Sequence, residues 1–428
     1  MTARVLHILS QRPLLTGSGI TLDAFVRIGE RKGWDQHVIV GTPGNDEFPE
    51  VADLPRDRIH PLYFGDGDLA FPVPGMSDVM PYPSTRFSEM TPPQLVAYKK
   101  AWSEHIGQVA SFVQPSLIHS HHIWIMSSLI KKSLPQIPLV TQCHSTGLRQ
   151  MVLCPELKND VVEGCKKIDR FLVLREDHRD KLSGVLGRER EDIHLVGSGY
   201  NDSVFHPRGR SGKRARLIYV GKLSAAKGLP WLLDAVEQLS TEIPKLELHI
   251  VGAGAGNEAE SIEQRIRALP GIVKYWGQLP QTALADLFRT ASVCVLPSFY
   301  EGVPLVLVEA LASGCRVLST RLEGVVNELE PHLGDALGTI PLPRLRGLDS
   351  IHPSAEHEFV ESLKAAIKQT LEKPPVDVAD ATFAEALTPF SWSSVFERVE
   401  TVWKRLARLD LRPKASPESR RNSTHLKT

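Results

Sequence analysis

The 428-residue sequence has no excess of either charge: 50 Lys and Arg stand against 50 Asp and Glu. That balance excludes the broad basic field with which proteins hold nucleic acid or an anionic membrane, so an anionic ligand must be met by local charge. Cysteine is scarce. Cys143, Cys154, Cys165, Cys294 and Cys315 are scattered without a C-x-x-C pair, which suggests neither a disulfide framework nor a zinc site and fits a reducing compartment. Long apolar runs are missing too: none approaches the roughly 18 residues of a membrane span. The N-terminal apolar stretch is too short and too soon polar for a signal peptide. These absences point to a cytoplasmic protein, with the inner-membrane surface as an alternative address, that has no transmembrane segment and no nucleic-acid partner. What is there is the composition of an ordinary globular chain, 42% hydrophobic and 23% charged. At ~100–200 residues per domain its length predicts two or three domains with proper cores.

Short apolar runs ending in Gly, Ser or His recur along the chain, each followed by a helical pattern. That alternation is the signature of parallel strands joined by helices. In the first half it predicts strands at 4–9, 36–40, 117–119, 139–142, 170–174 and 193–196. In the second half the predicted strands are 216–220, 246–251, 273–276, 293–296 and 316–319. The periodicity breaks near Val204 to Lys213, where Pro, Gly and basic residues cluster. The expected fold is α/β, two Rossmann-like doubly wound domains facing a central cleft, with residues 1–207 as the first domain and 208–390 as the second. Apolar residues at helical spacing from Ser391 to Trp403 predict an amphipathic helix, and the Ser-, Arg- and Pro-rich tail 412–428 is expected to be disordered. Residues 44–93 read as a long loop rich in Pro and aromatics. Its part from Gly65 to Pro93 is assigned to an acceptor, with Phe71, Tyr82 and Phe87 to stack on a sugar or cover a lipid; the rival reading is a surface excursion packed on its own domain.

The most specific segment is Pro297-Ser-Phe-Tyr-Glu301-Gly-Val-Pro304-Leu-Val-Leu-Val-Glu309-Ala-Leu-Ala-Ser-Gly314. Pro304 suits a helix start and Gly314 the residue beyond its end, so Glu301 falls in the loop before the helix and Glu309 inside it. A carboxylate in an otherwise apolar helix costs several kcal/mol unless it is partnered, either by an internal cation or backbone group or by the two hydroxyls of a ribose. A second segment, Leu217-Ile-Tyr-Val-Gly221-Lys222-Leu-Ser-Ala-Ala-Lys227-Gly228, leads from a strand through a small-residue loop into a helix. Such loops bind anions at the strand's carboxyl edge, and Lys222 and Lys227 add charge there; two solvated lysines are the plainer alternative. Other signals are weaker. Gly252-Ala-Gly254-Ala-Gly256 follows a strand, but the next strand ends without the acidic residue an adenosine ribose needs, so NAD is not expected. Asp66-Gly-Asp68 reads as a polar turn. His119, His121 and His122 are not expected to form a metal site, because strand alternation turns His121 and His122 to opposite faces.

The Glu301 to Glu309 element, Val220-Gly-Lys-Leu with Lys227-Gly228, Val251-Gly-Ala-Gly254, Val293-Cys-Val-Leu-Pro-Ser298 and Phe390-Ser-Trp392 together resemble the second domain of retaining GT-B glycosyltransferases. The similarity is greatest to family 4, also called group 1. In the first half the resemblance rests on Thr16-Gly-Ser-Gly19, His119-Ser-His121 and Val140-Thr-Gln-Cys-His144. It implies that Lys222 and Lys227 neutralise a donor diphosphate, that Glu301 lies by the donor sugar, and that Glu309 binds the ribose hydroxyls. It further implies that the amides of Gly302, Val303 and Leu305 approach phosphates and sugar, that the Gly17–Gly19 turn covers the diphosphate, and that His144 approaches the sugar. Lys222 stands where the family commonly has Arg, and Ser198-Gly-Tyr-Asn201 where it has Asn-Gly-Val-Asp. The implied C-terminal helix, 391–410, crosses back onto the first domain. The expectation is a hexosyltransferase without metal or other cofactor, taking a nucleoside-diphosphate sugar, UDP before GDP. Its acceptor would be a small molecule, glycan or lipid-linked hydroxyl in bacterial polysaccharide, glycolipid or secondary-metabolite glycosylation. The rivals are a sugar-nucleotide epimerase on the same fold and a non-catalytic nucleotide-sugar-binding protein.

Overall fold

Apolar strands flanked by helices on both faces assemble into two parallel sheets. The computed structural model describes residues 3–77, 80–207, 215–374, 376–377 and 380–407. The expected tail 412–428 lies outside them. In the first sheet the strands are β1 (Arg4–Leu9), β2 (Asp35–Pro43), β3 (Ile59–Phe64), β6 (Leu117–His121), β7 (Leu139–Cys143), β8 (Arg170–Val173) and β9 (Ile193–Leu195). They lie in the order β3-β2-β1-β6-β7-β8-β9 with every neighbour parallel. Two short strands, β4 (Pro74–Gly75) and β5 (Thr85–Arg86), pair with each other apart from it. The second sheet holds β10 (Arg216–Val220), β11 (Glu247–Val251), β12 (Val273–Tyr275), β13 (Val293–Leu296), β14 (Arg316–Thr320) and β15 (Leu337–Ile340), in the order β12-β11-β10-β13-β14-β15, again all parallel. In each sheet the chain reverses direction of progression beside its first strand, between β1 and β6 and between β10 and β13. Loops at the carboxyl ends of those strands part there and leave a crevice for ligand.

The two sheets are tied at a crossing point. Tyr200 donates its N–H to the Phe390 carbonyl at 2.8 Å and accepts from the Trp392 N–H at 3.1 Å. Gly199 is obligatory, because a Cβ there would overlap the Trp392 ring. This is what the Ser198-Gly-Tyr-Asn201 segment does in this chain. The last helix, Trp392–Leu406, then lies along the first helix, Gly17–Arg31. Trp392, Val395, Phe396, Val399, Val402 and Trp403 are buried there with Val5, Phe25, Trp34 and Leu117 of the first half. Glu400 accepts from Trp34 Nε1 at 3.0 Å and from Lys32 Nζ at 3.1 Å.

The structure corrects the reading of residues 44–93 in two ways. Ile59–Phe64 is a strand, the edge of the first sheet, paired parallel with β2. Phe71, Tyr82 and Phe87, assigned to an acceptor, are 6%, 7% and 3% exposed, in the core of their own domain. Phe87 packs edge-on against Tyr98 at 5.8 Å and Trp124 at 5.7 Å. Rings of this size bury more apolar surface against the helix Pro92–Val113 than any ligand face would offer, so the core takes them. Toward the end of the segment Tyr82 lies under the Arg12 guanidinium, which is 5.6 Å from the ring centroid.

Candidate active site in the interdomain cleft

The lysine loop is held at the end of β10 by glycines that no other residue could replace. Gly228 has φ +70° and Gly252 φ +134°, and a Cβ on either would overlap the carbonyl of Pro297 or of Gly221 respectively. The Gly252–Gly256 run therefore serves close packing of the β10 and β11 loops. Phe299 N–H reaches the Ala226 carbonyl at 3.0 Å, which seats the Pro297–Pro304 loop against the lysine loop. As a result Lys227 and Glu301, 74 residues apart, form an ion pair at 2.7 Å, with both side chains largely buried. Tyr219 donates to the Lys222 carbonyl at 2.6 Å and fixes the backbone one turn earlier.

Pro304 precedes the helix Leu305–Ala312, and Gly314 with φ +94° follows its end. Leu307, Val308, Ala310 and Leu311 are buried, and Glu309 sits partly buried among them. Among the described residues no side chain or backbone group pairs with its carboxylate, and desolvation pushes it up to about 7. Of the two partners the sequence left open, the internal one is absent among those residues.

In the first domain, the β1 loop, the end of β6 and the end of β7 lie at the same carboxyl edge of the parallel sheet. Thr16 caps the helix Gly17–Arg31 by accepting the Gly19 N–H at 3.2 Å. That amide is engaged within the protein, and Gly19 is required because a Cβ would lie 2.6 Å from Leu14 N. Gly17 faces open space, with nothing within 4 Å of a Cβ built there. His144 follows β7 and is buried, its Nε2 3.1 Å from His121 Nδ1 and its ring centroid 4.8 Å from that of His122. Strand alternation fails here: β6 ends at His121, and His122 takes φ +69°, which swings it to the same neighbour instead of the opposite face. His7, His119, His121 and His144 continue as a buried column of rings, with centroids 5.5, 4.9 and 5.4 Å apart in turn. Burial pushes His144 down to about 3, so its ring is neutral. No group of three or more His, Cys, Asp or Glu among the described residues has metal-binding geometry.

Three further groups that the sequence did not single out meet the Pro297–Pro304 loop. Arg175, directly after β8, donates from one terminal nitrogen to the carbonyls of Glu301 and Gly302, both at 3.1 Å. Arg149 pairs with Asp349 at 3.2 Å and lies 5.4 Å from the Tyr300 ring. Ser145 Oγ is 3.0 Å from where a Gly302 Cβ would be. The only signal available for Arg175 and Ser145 was position, since each follows a parallel strand at its carboxyl end.

Two parallel doubly wound sheets whose switch points share a cleft, with a lysine loop and a carboxylate-bearing helix on one wall, define the GT-B class of glycosyltransferase. Residues 16–204 match the Glycosyltransferase Family 4 model and residues 214–337 match that of Glycosyl transferases group 1. The chain belongs to this glycosyltransferase family. It is 28% identical over 342 residues to a D-inositol 3-phosphate glycosyltransferase of Segniliparus rotundus, covering 72% of this chain and 71% of that one. Other relatives of that name match over 52–59% of their own length. In fold it is similar to the sucrose-phosphate synthase of Thermosynechococcus elongatus (TM-score 0.69, 17% identity, 95% of this chain and 100% of that one). It is also similar to Anabaena Alr3699/HepE in complex with UDP and glucose (TM-score 0.60, 15% identity, 94% and 99%).

Proposed function

We propose that the protein is a retaining, metal-independent glycosyltransferase that moves a sugar from a nucleoside diphosphate, UDP first among candidates, to an acceptor hydroxyl. The observation that carries this is Glu309: a desolvated carboxylate without a protein partner among the described residues, one helix away from the Lys227–Glu301 pair. A ribose diol supplies the two donors that such a carboxylate needs. Lys222 and Lys227 support metal independence, because as the diphosphate departs they meet charge that a divalent ion would otherwise meet. In the unliganded protein Lys227 is neutralised by Glu301, so an arriving diphosphate competes for it. The N-terminus of the helix Leu305–Ala312, beside the loop amides of Gly302, Val303 and Leu305, adds a positive end dipole. The acceptor would then attack from the face the diphosphate leaves, a donor phosphate oxygen taking its proton. His144, neutral, would serve as a hydrogen-bonding group to the donor sugar rather than as an acid. Choice of UDP draws support from a fold neighbour solved with that nucleotide.

Thermal shift against UDP, GDP, ADP and dTDP, followed by hydrolysis of UDP-glucose with and without EDTA, tests the reading. Stabilisation by UDP and undiminished turnover in chelator are expected. Loss of turnover in EDTA with rescue by Mn²⁺ or Mg²⁺ would overturn metal independence, and indifference to all four nucleotides would overturn the donor site.

A further inference from the structure

The donor loop is gripped from both sides of the cleft. Within its own domain, Lys227 holds the Glu301 carboxylate, and Gly324 packs so closely that a Cβ there would overlap the Gly302 carbonyl. From the other domain, Arg175 reaches the backbone of the same two residues. Its guanidinium is 6% exposed and uses each of its edges: Nε and one terminal nitrogen fork onto Asp177, while the other terminal nitrogen donates to both carbonyls. Asp177 is in turn held by Lys181 at 2.7 Å. Burial alone would raise the Asp177 carboxyl, but Arg175 and Lys181 hold it well below the usual range, so it stays an anion that fixes the fork. A planar, pre-organised guanidinium is suited to this double task, which an ammonium cannot perform.

We infer that Arg175 is a positioning residue that carries the state of the first domain to the donor-sugar loop through the Glu301 and Gly302 carbonyls. It rests on the reading of the cleft as a nucleotide-sugar site. With the domains together, the guanidinium fixes the backbone from which the Glu301 side chain reaches Lys227. When the domains part, those two hydrogen bonds are lost and the loop is held from one side only. Lys222 and Glu309 lie outside this grip, and Lys227, though it holds Glu301, stays anchored in the second domain, so nucleotide binding rests on the second domain, whereas alignment of the sugar requires both.

The test uses Arg175→Met, which keeps the stem's volume and leaves Asp177 paired with Lys181, and Arg175→Lys, which keeps the charge without the fork. Amide hydrogen exchange across residues 299–305 should accelerate at least about tenfold in Arg175→Met, while residues 222–229 stay unchanged. Affinity for UDP should stay within about twofold, and kcat for UDP-glucose hydrolysis should fall about 10–100-fold, the cost of misplacing reacting groups. Arg175→Lys should fall between, and millimolar guanidinium should restore part of the Arg175→Met rate. Unchanged exchange at 299–305, or a rate loss matched by lost UDP affinity and not rescued by guanidinium, overturns the inference. If exchange rises but the unmodified protein does not bind UDP, it is the donor-site reading that fails while the grip stands.

Discussion

Desolvation holds the Glu309 carboxyl at about 7, and two hydroxyls donating to it favour its ionised form. Nucleotide binding should therefore release a proton near neutral pH, and affinity should rise as pH increases through 7, where the unliganded carboxyl loses its proton. Calorimetry in buffers of different ionisation enthalpy measures this directly. Glu309→Gln should weaken binding by about 1.5–3 kcal/mol, the worth of hydrogen bonds to a charged group, and abolish the proton release. The lysines behave differently. Lys227 already has a counter-ion in Glu301, so its exchange of partners is felt mostly as charge develops on the leaving group. Lys227→Ala and Lys222→Ala should each lower turnover about 10²–10³-fold with a smaller change in donor KM. A raised KM with kcat unchanged would show instead a role in ground-state binding.

At the scale of elements, the edge strands explain what the pattern hid. The missed strands of the two main sheets both lie at a sheet edge and contain a residue that reads as a breaker: Pro61 in β3 and Gly338 in β15. A proline is tolerated there because its missing N–H faces no neighbour. The segment after β3 depends on packing of the same kind, and Phe87→Ala should cost about 3–5 kcal/mol in denaturant unfolding, as for a deeply buried ring. Retained stability would return Phe87 to the acceptor. The histidine column makes a separate prediction. Burial pushes His7 down to about 4, and His119, His121 and His122 are lowered as well. An imidazole with a depressed folded value binds its proton first in the unfolded state, so stability is full above about 6.5 and is lost as pH falls below that. For His7 the loss amounts to about 3 kcal/mol at the acid end. His119, whose ring nitrogens have no partner among the described residues, can be replaced by Leu without orphaning a neighbour. His119→Leu should flatten the decline of urea midpoints between pH 7 and 5, and an unchanged slope would place the acid sensitivity elsewhere.

Across the whole molecule the two halves meet in two kinds of contact, the crossing at Tyr200 and the polar cleft face, where Arg175, the Arg149–Asp349 and Lys181–Glu323 pairs and the Glu176 N–H to Glu328 bond bridge the domains. The first is apolar and close-packed, and the second is charged and directional. Cutting the chain before Ser391 would remove Phe396, Val399 and Trp403 from the first half's core and strand the Trp34 and Lys32 donors now satisfied by Glu400. The first sheet should then melt earlier while the second keeps its own midpoint, as read by exchange in β1 and β10. Equal melting of both would show that the last helix is dispensable to the first half.

Strand and helix alternation, the lysine loop and the Glu301 to Glu309 spacing were legible in the sequence because each depends on residues within a few turns of one another. Hydrophobic periodicity places strands, and strand ends place loops, so the positions of the lysine loop and the Glu301 to Glu309 element at the ends of β10 and β13 were readable from local pattern. The tertiary structure alone decided the rest. That Phe71, Tyr82 and Phe87 fill a core, that His122 turns toward His144, and that Arg175 finds carbonyls 126 and 127 residues further on are outcomes of competition between distant segments for the same space. A ring goes where it loses most water, and a guanidinium where unpaired carbonyls meet it. Neither destination is written near the residue that takes it.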